Sequence, residues 1–200
     1  TRLLVGILAT TPNIEVKIKG DHSLNKRSMS KLIHLMENFG AEFFPKNKFK
    51  LPLKLVSSEM PIGINYNAGI SAQLKSAVIL AGLNSFGTTT IVEKIQSRDH
   101  TEKMIFRSSD SLNIIKDKKR IIKVRGKSFL NALKFNVPGD PSSAAFFAAL
   151  TILKSNSSLK INNVGLNSKR IGFYEILKKA GAKIKFKNIK NKNHEIFGDV

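Results

Sequence analysis

Three arginines, Arg27, Arg98 and Arg170, stand 71 and then 72 residues apart, each between a β-rich stretch and an amphipathic helical one. A period of that length exceeds the usual solenoid repeats and marks a repeated supersecondary unit. In the first copy, residues 3–10 predict an apolar helix, 14–20 a strand with alternating apolar positions, 21–27 a basic loop, 29–39 a second helix and 42–44 another strand. Gly40 supplies the helix stop, because glycine enters the left-handed conformation that ends helices at little cost. The second copy runs from a helix opening at Ser71, through a strand at 88–95, to a helix opening near Asp99. The third predicts a helix at 144–153, a strand at 159–164 and a helix at 172–180, closed by Gly181 and continued by a strand at 183–186. The second copy lacks the closing glycine and has serines at 108, 109 and 111 instead, so its helix stop is less defined. Residues 50–56 and 121–124 read as hairpin material between copies.

Each unit is therefore βαβαββ in kind, and the expectation is an α/β protein with helices packed together and sheets outside. The stretch 134–138 is the expected crossing between two domains, each only partly represented, because Pro138 disfavours helix at Val137 and Gly139 frees the backbone. That places one domain of two units at 1–137 and the start of another, one unit, at 138–200.

Composition narrows the function. The chain has 34 Lys and Arg against 14 Asp and Glu, a net charge of +20, which by itself suggests polyanionic partners. The lysines, however, are scattered through loops and strand ends among Asn and Ile, and there is no Trp and only Tyr66 and Tyr174 to stack on bases. A phosphorylated small molecule is an equally good anion, so no nucleic-acid partner is expected. The absence of cysteine excludes disulfides, thiolate catalysis and cysteine metal sites, and the four histidines, His22, His34, His100 and His194, lack ligand spacing. No metal is expected. The longest apolar runs fall far short of the roughly 20 residues that cross a bilayer, so no membrane partner is expected. With no signal-peptide pattern at Thr1 the expected compartment is the cytoplasm, and an incomplete N-terminus stays open.

The most informative constellation is Ser71-Ala72-Gln73 at the head of a long apolar run. A helix start offers unpaired N–H groups and the positive end of its dipole, a ready receptor for phosphate or carboxylate. Ser71 could be only an N-cap, worth roughly 1 kcal/mol. Gln73 adds an amide, Lys75 a cation, and Arg98 with His100 opens the next helix, a combination that favours anion binding. Arg27 follows a basic loop, and on residue physics alone it is equally a solvated cation or a fork for a carboxylate or phosphate. Asp140-Pro141 before Ser142 and Ser143 reads as N-cap and first helical residue rather than a phosphate loop, whose lysine is absent. Asp99 and Glu102 read as first-turn acids that favour the helix dipole.

Five ordered blocks carry a resemblance: Thr1-Arg2-Leu3-Leu4 with Gly6; Gly20-Asp21-x-Ser23-Leu24-x-Lys26-Arg27; Ser71-Ala72-Gln73-Leu74-Lys75-Ser76-Ala77; Ser97-Arg98-Asp99-His100-Thr101-Glu102; and Val137-Pro138-Gly139-Asp140-x-Ser142-Ser143-Ala144. Over essentially the whole chain they resemble the 5-enolpyruvylshikimate-3-phosphate synthase (3-phosphoshikimate 1-carboxyvinyltransferase) family. The resemblance implies the enolpyruvyl transferase fold, an inside-out α/β barrel-like arrangement of βαβαββ units in two domains. It implies transfer of the enolpyruvyl group of phosphoenolpyruvate to the 5-hydroxyl of shikimate 3-phosphate, no cofactor, and a monomer at full length. Carried over residue by residue, Ser71, Ala72, Gln73 and Arg98 would bind shikimate 3-phosphate, and Arg27 and Gln73 phosphoenolpyruvate. Ser28 stands where the family usually has Pro, and Asn67-Ala68-Gly69 where it often has Val-Pro. The family's Lys-Ser pair, catalytic Asp, Lys-Glu-x-Asp-Arg and Asp-His-Arg runs and final Lys have no counterpart within the chain. No catalytic residue is therefore assigned, and the expectation is a fragment that binds weakly and does not turn over. The UDP-N-acetylglucosamine enolpyruvyl transferases fit the Ser-Ala-Gln and Ser-Arg-Asp-His blocks less well, and a basic nucleic-acid-binding module is the rival of another class.

Overall fold

The apolar run at the head of the chain folds as helix α1 (Arg2–Thr10) and is followed by strand β1 (Glu15–Ile18), a short helix α2 (His22–Lys26), helix α3 (Ser30–Glu37) and strands β2 (Glu42–Phe44) and β3 (Leu53–Val56). The second copy supplies β4 (Asn65–Ala68), α4 (Ala72–Asn84), β5 (Thr88–Glu93), α5 (His100–Ser108), β6 (Leu112–Lys116) and β7 (Arg120–Arg125). The third supplies α6 (Pro141–Leu153), β8 (Val164–Gly165), α7 (Gly172–Lys179), β9 (Lys187–Lys192) and β10 (Glu195–Asp199). This computed structural model describes residues 1–192 and 194–200, which divide into two units, Thr1–Asn131 and Ala132–Val200.

The sheets display the repeat directly. Their strand orders are β1-β3-β2, β4-β5-β7-β6 and β8-β10-β9, so the second, fourth and third strands of the unit recur in the same neighbour order in every copy. The leading strand β4 lies parallel to β5 in the second copy, and its trace in the third is a single parallel bridge between Gly139 and Val164. The complete second copy is thus β4-α4-β5-α5-β6-β7, the expected βαβαββ order.

Within the first unit, α1 and α4 occupy equivalent places and touch at equivalent points. Arg2 meets Gln73 near their starts, and Asn84 Nδ2 donates to Thr11 Oγ1 at 2.9 Å near their ends, so the two helices run parallel. Gly6 permits the approach midway, because a Cβ there would lie 2.4 Å from the Ala77 carbonyl oxygen. Helix α4 buries Ala77, Val78, Ile79 and Ala81 completely, and its apolar residues go nearly all round it, as in a helix enclosed by other elements. Strand β5 buries alternate residues, with Ile91 packing beside Ile122 and Val124 of β7 and beside α4 in one continuous core.

The second unit has a small core of its own around Tyr174, whose hydroxyl donates to the Pro141 carbonyl at 2.8 Å and whose ring meets Phe173 and Phe186 edge-on. Burial, with a smaller push from Asp140, raises the Tyr174 phenol above its ordinary range.

Several expectations are corrected. Residues 21–27 are not all loop: Asp21 accepts from the Leu24 N–H at 2.7 Å and starts the five-residue helix α2. The strand expected at 159–164 shrinks to Val164–Gly165, because Asn163 takes a positive φ of 54° just before it. The strand expected at 183–186 begins at Lys187 instead; Ile184 and Phe186 alternate because they pack on the small core, not because they pair. Gly40 and Gly181 do take positive φ, while α5 ends at Ser108 with Ser109 extended, needing no left-handed residue.

Candidate anion-binding site

Ser71 is the N-cap of α4, its Oγ accepting from the Leu74 N–H at 3.4 Å. Ala72 is buried and Gln73 exposed on the first turn, so this helix tip faces solvent through Gln73. The Gln73 side chain is held by Arg2, whose guanidinium donates to Oε1 at 2.7 Å. That leaves the Gln73 NH₂ as a donor not used by this contact. Arg2 entered the sequence reading only as part of a motif; its distance of 71 residues from Gln73, the repeat period, was the signal that pairs them.

Arg98 is exposed on the loop between β5 and α5, and its guanidinium has no partner among the described residues. The start of α5 lies against the first turns of α4, since the Ser76 and Thr101 hydroxyls are 2.7 Å apart. The third copy shows where an arginine in this loop can reach. Arg170 pairs with Asp140, the N-cap of α6, and donates to Ser142 Oγ at 2.9 Å, so it sits on the N-terminal tip of its own unit's first helix. Asp140 also accepts from the Ser143 N–H at 3.0 Å, and together these contacts outweigh desolvation and hold its carboxyl below the usual range. In the second copy the corresponding N-cap is the uncharged Ser71, and Arg98 is left for something else.

Arg27 is exposed at the end of α2, its backbone N–H donating to the Leu24 carbonyl at 3.1 Å, and its guanidinium also has no partner among the described residues. Its neighbour Ser28 lines a cleft of about 610 Å³ together with Arg2, Lys31, His34, Tyr66 and Ser71. Burial raises the Tyr66 phenol above its ordinary range despite an opposing hydrogen bond at Gly69. The fold thus brings Gln73 and Arg2 into contact, sets the Arg98 loop beside α4, and puts the residue after Arg27 on the same cleft as Arg2 and Ser71. No side-chain contact joins Arg27, Gln73 and Arg98 to one another.

One reading changes. Lys75 is not a cation for a ligand: it is fully buried, with Nζ 3.0 Å from Glu93 and 2.7 Å from Glu102. Glu102 is the first-turn acid of α5 that the sequence indicated, and it is also buried, 1% exposed and within 3.0 Å of Arg120. Arg120 also pairs with Glu93, which makes a buried ring of two cations and two carboxylates. The Glu93 carboxyl is pushed up by burial but pulled further down by Lys75 and Ser97, and ends below its usual range. Sequence reading missed Glu93 and Arg120, which lie in a strand end and a basic hairpin far from Lys75 in the chain.

A model of the EPSP synthase (3-phosphoshikimate 1-carboxyvinyltransferase) family matches residues 1–197. The chain belongs to the EPSP synthase family. The 3-phosphoshikimate 1-carboxyvinyltransferase of Novosphingobium aromaticivorans is 41% identical to it over 203 residues, covering all of this chain and 46% of that protein. The enzyme of the same name from Sulfurihydrogenibium is 39% identical, over all of this chain and 47% of its own length. The solved EPSP synthase from Acinetobacter baumannii superposes with a TM-score of 0.79 at 32% identity, covering 99% of this chain and 44% of that one. An enolpyruvyl transferase from Streptomyces tendae, TM-score 0.65 at 14% identity, shares the fold. The chain therefore has the enolpyruvyl transferase fold that the resemblance implied, and spans a little under half the length of the relatives it matches.

Proposed function

We propose that the complete protein transfers the enolpyruvyl group of phosphoenolpyruvate to the 5-hydroxyl of shikimate 3-phosphate, releasing phosphate, and that this chain contributes part of its substrate-binding wall. Family membership supports the activity, and relatives that match the whole chain carry that name. The observation that carries the site is the tip of α4, capped by neutral Ser71 where the third copy places its own carboxylate, Asp140, against its own arginine. In this reading Ser71, Ala72, Gln73 and Arg98 bind shikimate 3-phosphate, and Arg27 with Gln73 binds phosphoenolpyruvate. Both substrates are multiply anionic. Fixed guanidinium and N–H donors hold the acceptor hydroxyl against the enol carbon and favour addition and then elimination through a tetrahedral intermediate. Residues 1–137 make up most of one substrate domain and 138–200 the start of the other; the protein works in the cytoplasm as a monomer. Among the described residues no helix is long and apolar enough to cross a membrane.

The test is phosphate release by the complete protein that contains this chain, with phosphoenolpyruvate plus shikimate 3-phosphate. Arg98→Ala raises KM for shikimate 3-phosphate and Arg27→Ala that for phosphoenolpyruvate, each by about 10- to 100-fold, as expected for one lost charge-assisted hydrogen bond. Turnover with UDP-N-acetylglucosamine in place of shikimate 3-phosphate overturns the substrate assignment. The 200 residues alone should bind weakly and release no phosphate.

A further inference from the structure

Replacing a buried ion cluster by apolar side chains of the same volume is often neutral or stabilising, so stability alone gives little reason for four charges in the first unit's core. Their positions supply a reason. Lys75 is on α4, one turn beyond Ser71, whose carbonyl accepts the Lys75 N–H at 3.2 Å. Glu93 ends β5, Glu102 lies on α5 and Arg120 opens β7. The ring therefore ties the anion-binding end of α4 to both sides of the loop that carries Arg98. Glu93 also reaches into that loop, accepting from the Ser97 N–H at 3.2 Å and from the Ser97 hydroxyl at 2.9 Å. Ser97 is bonded directly to Arg98.

We propose that Glu93 is a positioning residue: anchored by Lys75 and Arg120, it holds the Ser97–Arg98 peptide so that the Arg98 guanidinium faces the anion bound at the tip of α4. This rests on the reading of Arg98 as a shikimate 3-phosphate ligand. The geometry favours a fixed loop because a guanidinium on a mobile loop would lose its ordering entropy each time it bound. A charged anchor is directional, whereas an apolar plug of equal volume would set distance but not the orientation of the Ser97 N–H.

The test uses the complete protein that contains this chain. Glu93→Ala should raise KM for shikimate 3-phosphate about 10-fold while KM for phosphoenolpyruvate moves less than about 2-fold. Amide hydrogen exchange at Ser97 and Arg98 should become at least about 10-fold faster, with the amides in the middle of α4 unchanged. Glu93→Gln keeps an acceptor for Ser97 and should recover most of both effects. If Glu93→Ala does not fold, Lys75→Met/Glu93→Ala leaves the ring neutral and carries the same readouts. Unchanged KM values and unchanged loop exchange in folded protein, with loss confined to Tm, overturn the proposal. If the unsubstituted protein releases no phosphate with these substrates, the functional reading fails, and the exchange comparison still decides whether Glu93 orders the loop.

Discussion

Lys75→Met is the most demanding single test of the buried ring. Methionine has nearly the length of lysine and fills the same space, so the cavity contribution is small and the loss is electrostatic. The variant deletes the contacts at 3.0 and 2.7 Å and leaves Glu93 and Glu102 sharing only Arg120, one surplus negative charge where both carboxylates are at most 1% exposed. Removing one partner of a buried pair costs about 3–5 kcal/mol, so the expected loss is about 4 kcal/mol. That is a large share of the ~5–15 kcal/mol that holds a domain together. Adding Glu102→Gln removes the surplus charge and should restore stability to within about 1–2 kcal/mol of the unsubstituted protein, a coupling visible in a double-mutant cycle. Urea unfolding at neutral pH measures both. The deficit of Lys75→Met should also shrink as pH falls, because a buried carboxylate without its ammonium has a raised pKa and is relieved by protonation. A loss below about 1 kcal/mol, or a double variant no better than the single, refutes the ring as drawn.

Gly6→Ala should lower stability by about 1–3 kcal/mol, since its Cβ meets the backbone of α4, which no side-chain rotation can clear; an unchanged urea midpoint would contradict the close approach. Asp140→Ala removes both the cap of α6 and the partner of Arg170, for about 1–2 kcal/mol. Asp140→Asn keeps a capping oxygen and should lose less than half of that, so equal losses would show that the cap is not what matters. In acid, Asp199, held down to about 2 by Asn188, Lys160 and the Asn163 N–H, contributes stability that is present above its usual 3.8 and fades as pH drops towards 2. Asp199→Asn should therefore lower stability at pH 7 and remove the loss seen between about pH 4 and 2, so that urea midpoints of the two proteins converge near pH 2.

The repeat was legible because two independent signals coincide at one period: the arginines, and the alternation of long apolar runs with Gly-stopped amphipathic ones. The sheets were only half legible. Strand β5 alternates in burial but not in residue type, since its inward residues are Thr89, Ile91 and Glu93, and its β-branched run is what marked it; β9, with the sequence Lys-Asn-Ile-Lys-Asn-Lys, is exposed at every described position and carries no pattern for periodicity to find. Ile184 and Phe186 did alternate and yet form no ladder, because apolar alternation records which side chains face a core, not which backbones pair. Helix α2 is too short for periodicity, and only Asp21 as a cap signalled it. In the site, Ser71 and Gln73 were readable as a helix tip. Lys75 was not, because a first-turn lysine is usually solvated, and what buries it are Glu93, Glu102 and Arg120, whose distances along the chain follow no local rule.

One unit with one arginine position leads to three different outcomes, and the difference lies in the residue at the head of the unit's first helix. In the third copy that residue is Asp140; the arginine is consumed internally, and the helix tip is closed to other anions by its own carboxylate. In the second it is Ser71, which satisfies a backbone N–H without bringing charge, and Arg98 remains unpaired. In the first it is Thr1, also uncharged, and the next residue, Arg2, reaches across to Gln73 on α4. The third copy thus satisfies its arginine at its own helix tip, whereas the guanidinium groups of Arg27 and Arg98 meet no carboxylate among the described residues, a difference between copies that the net charge of +20 does not reveal.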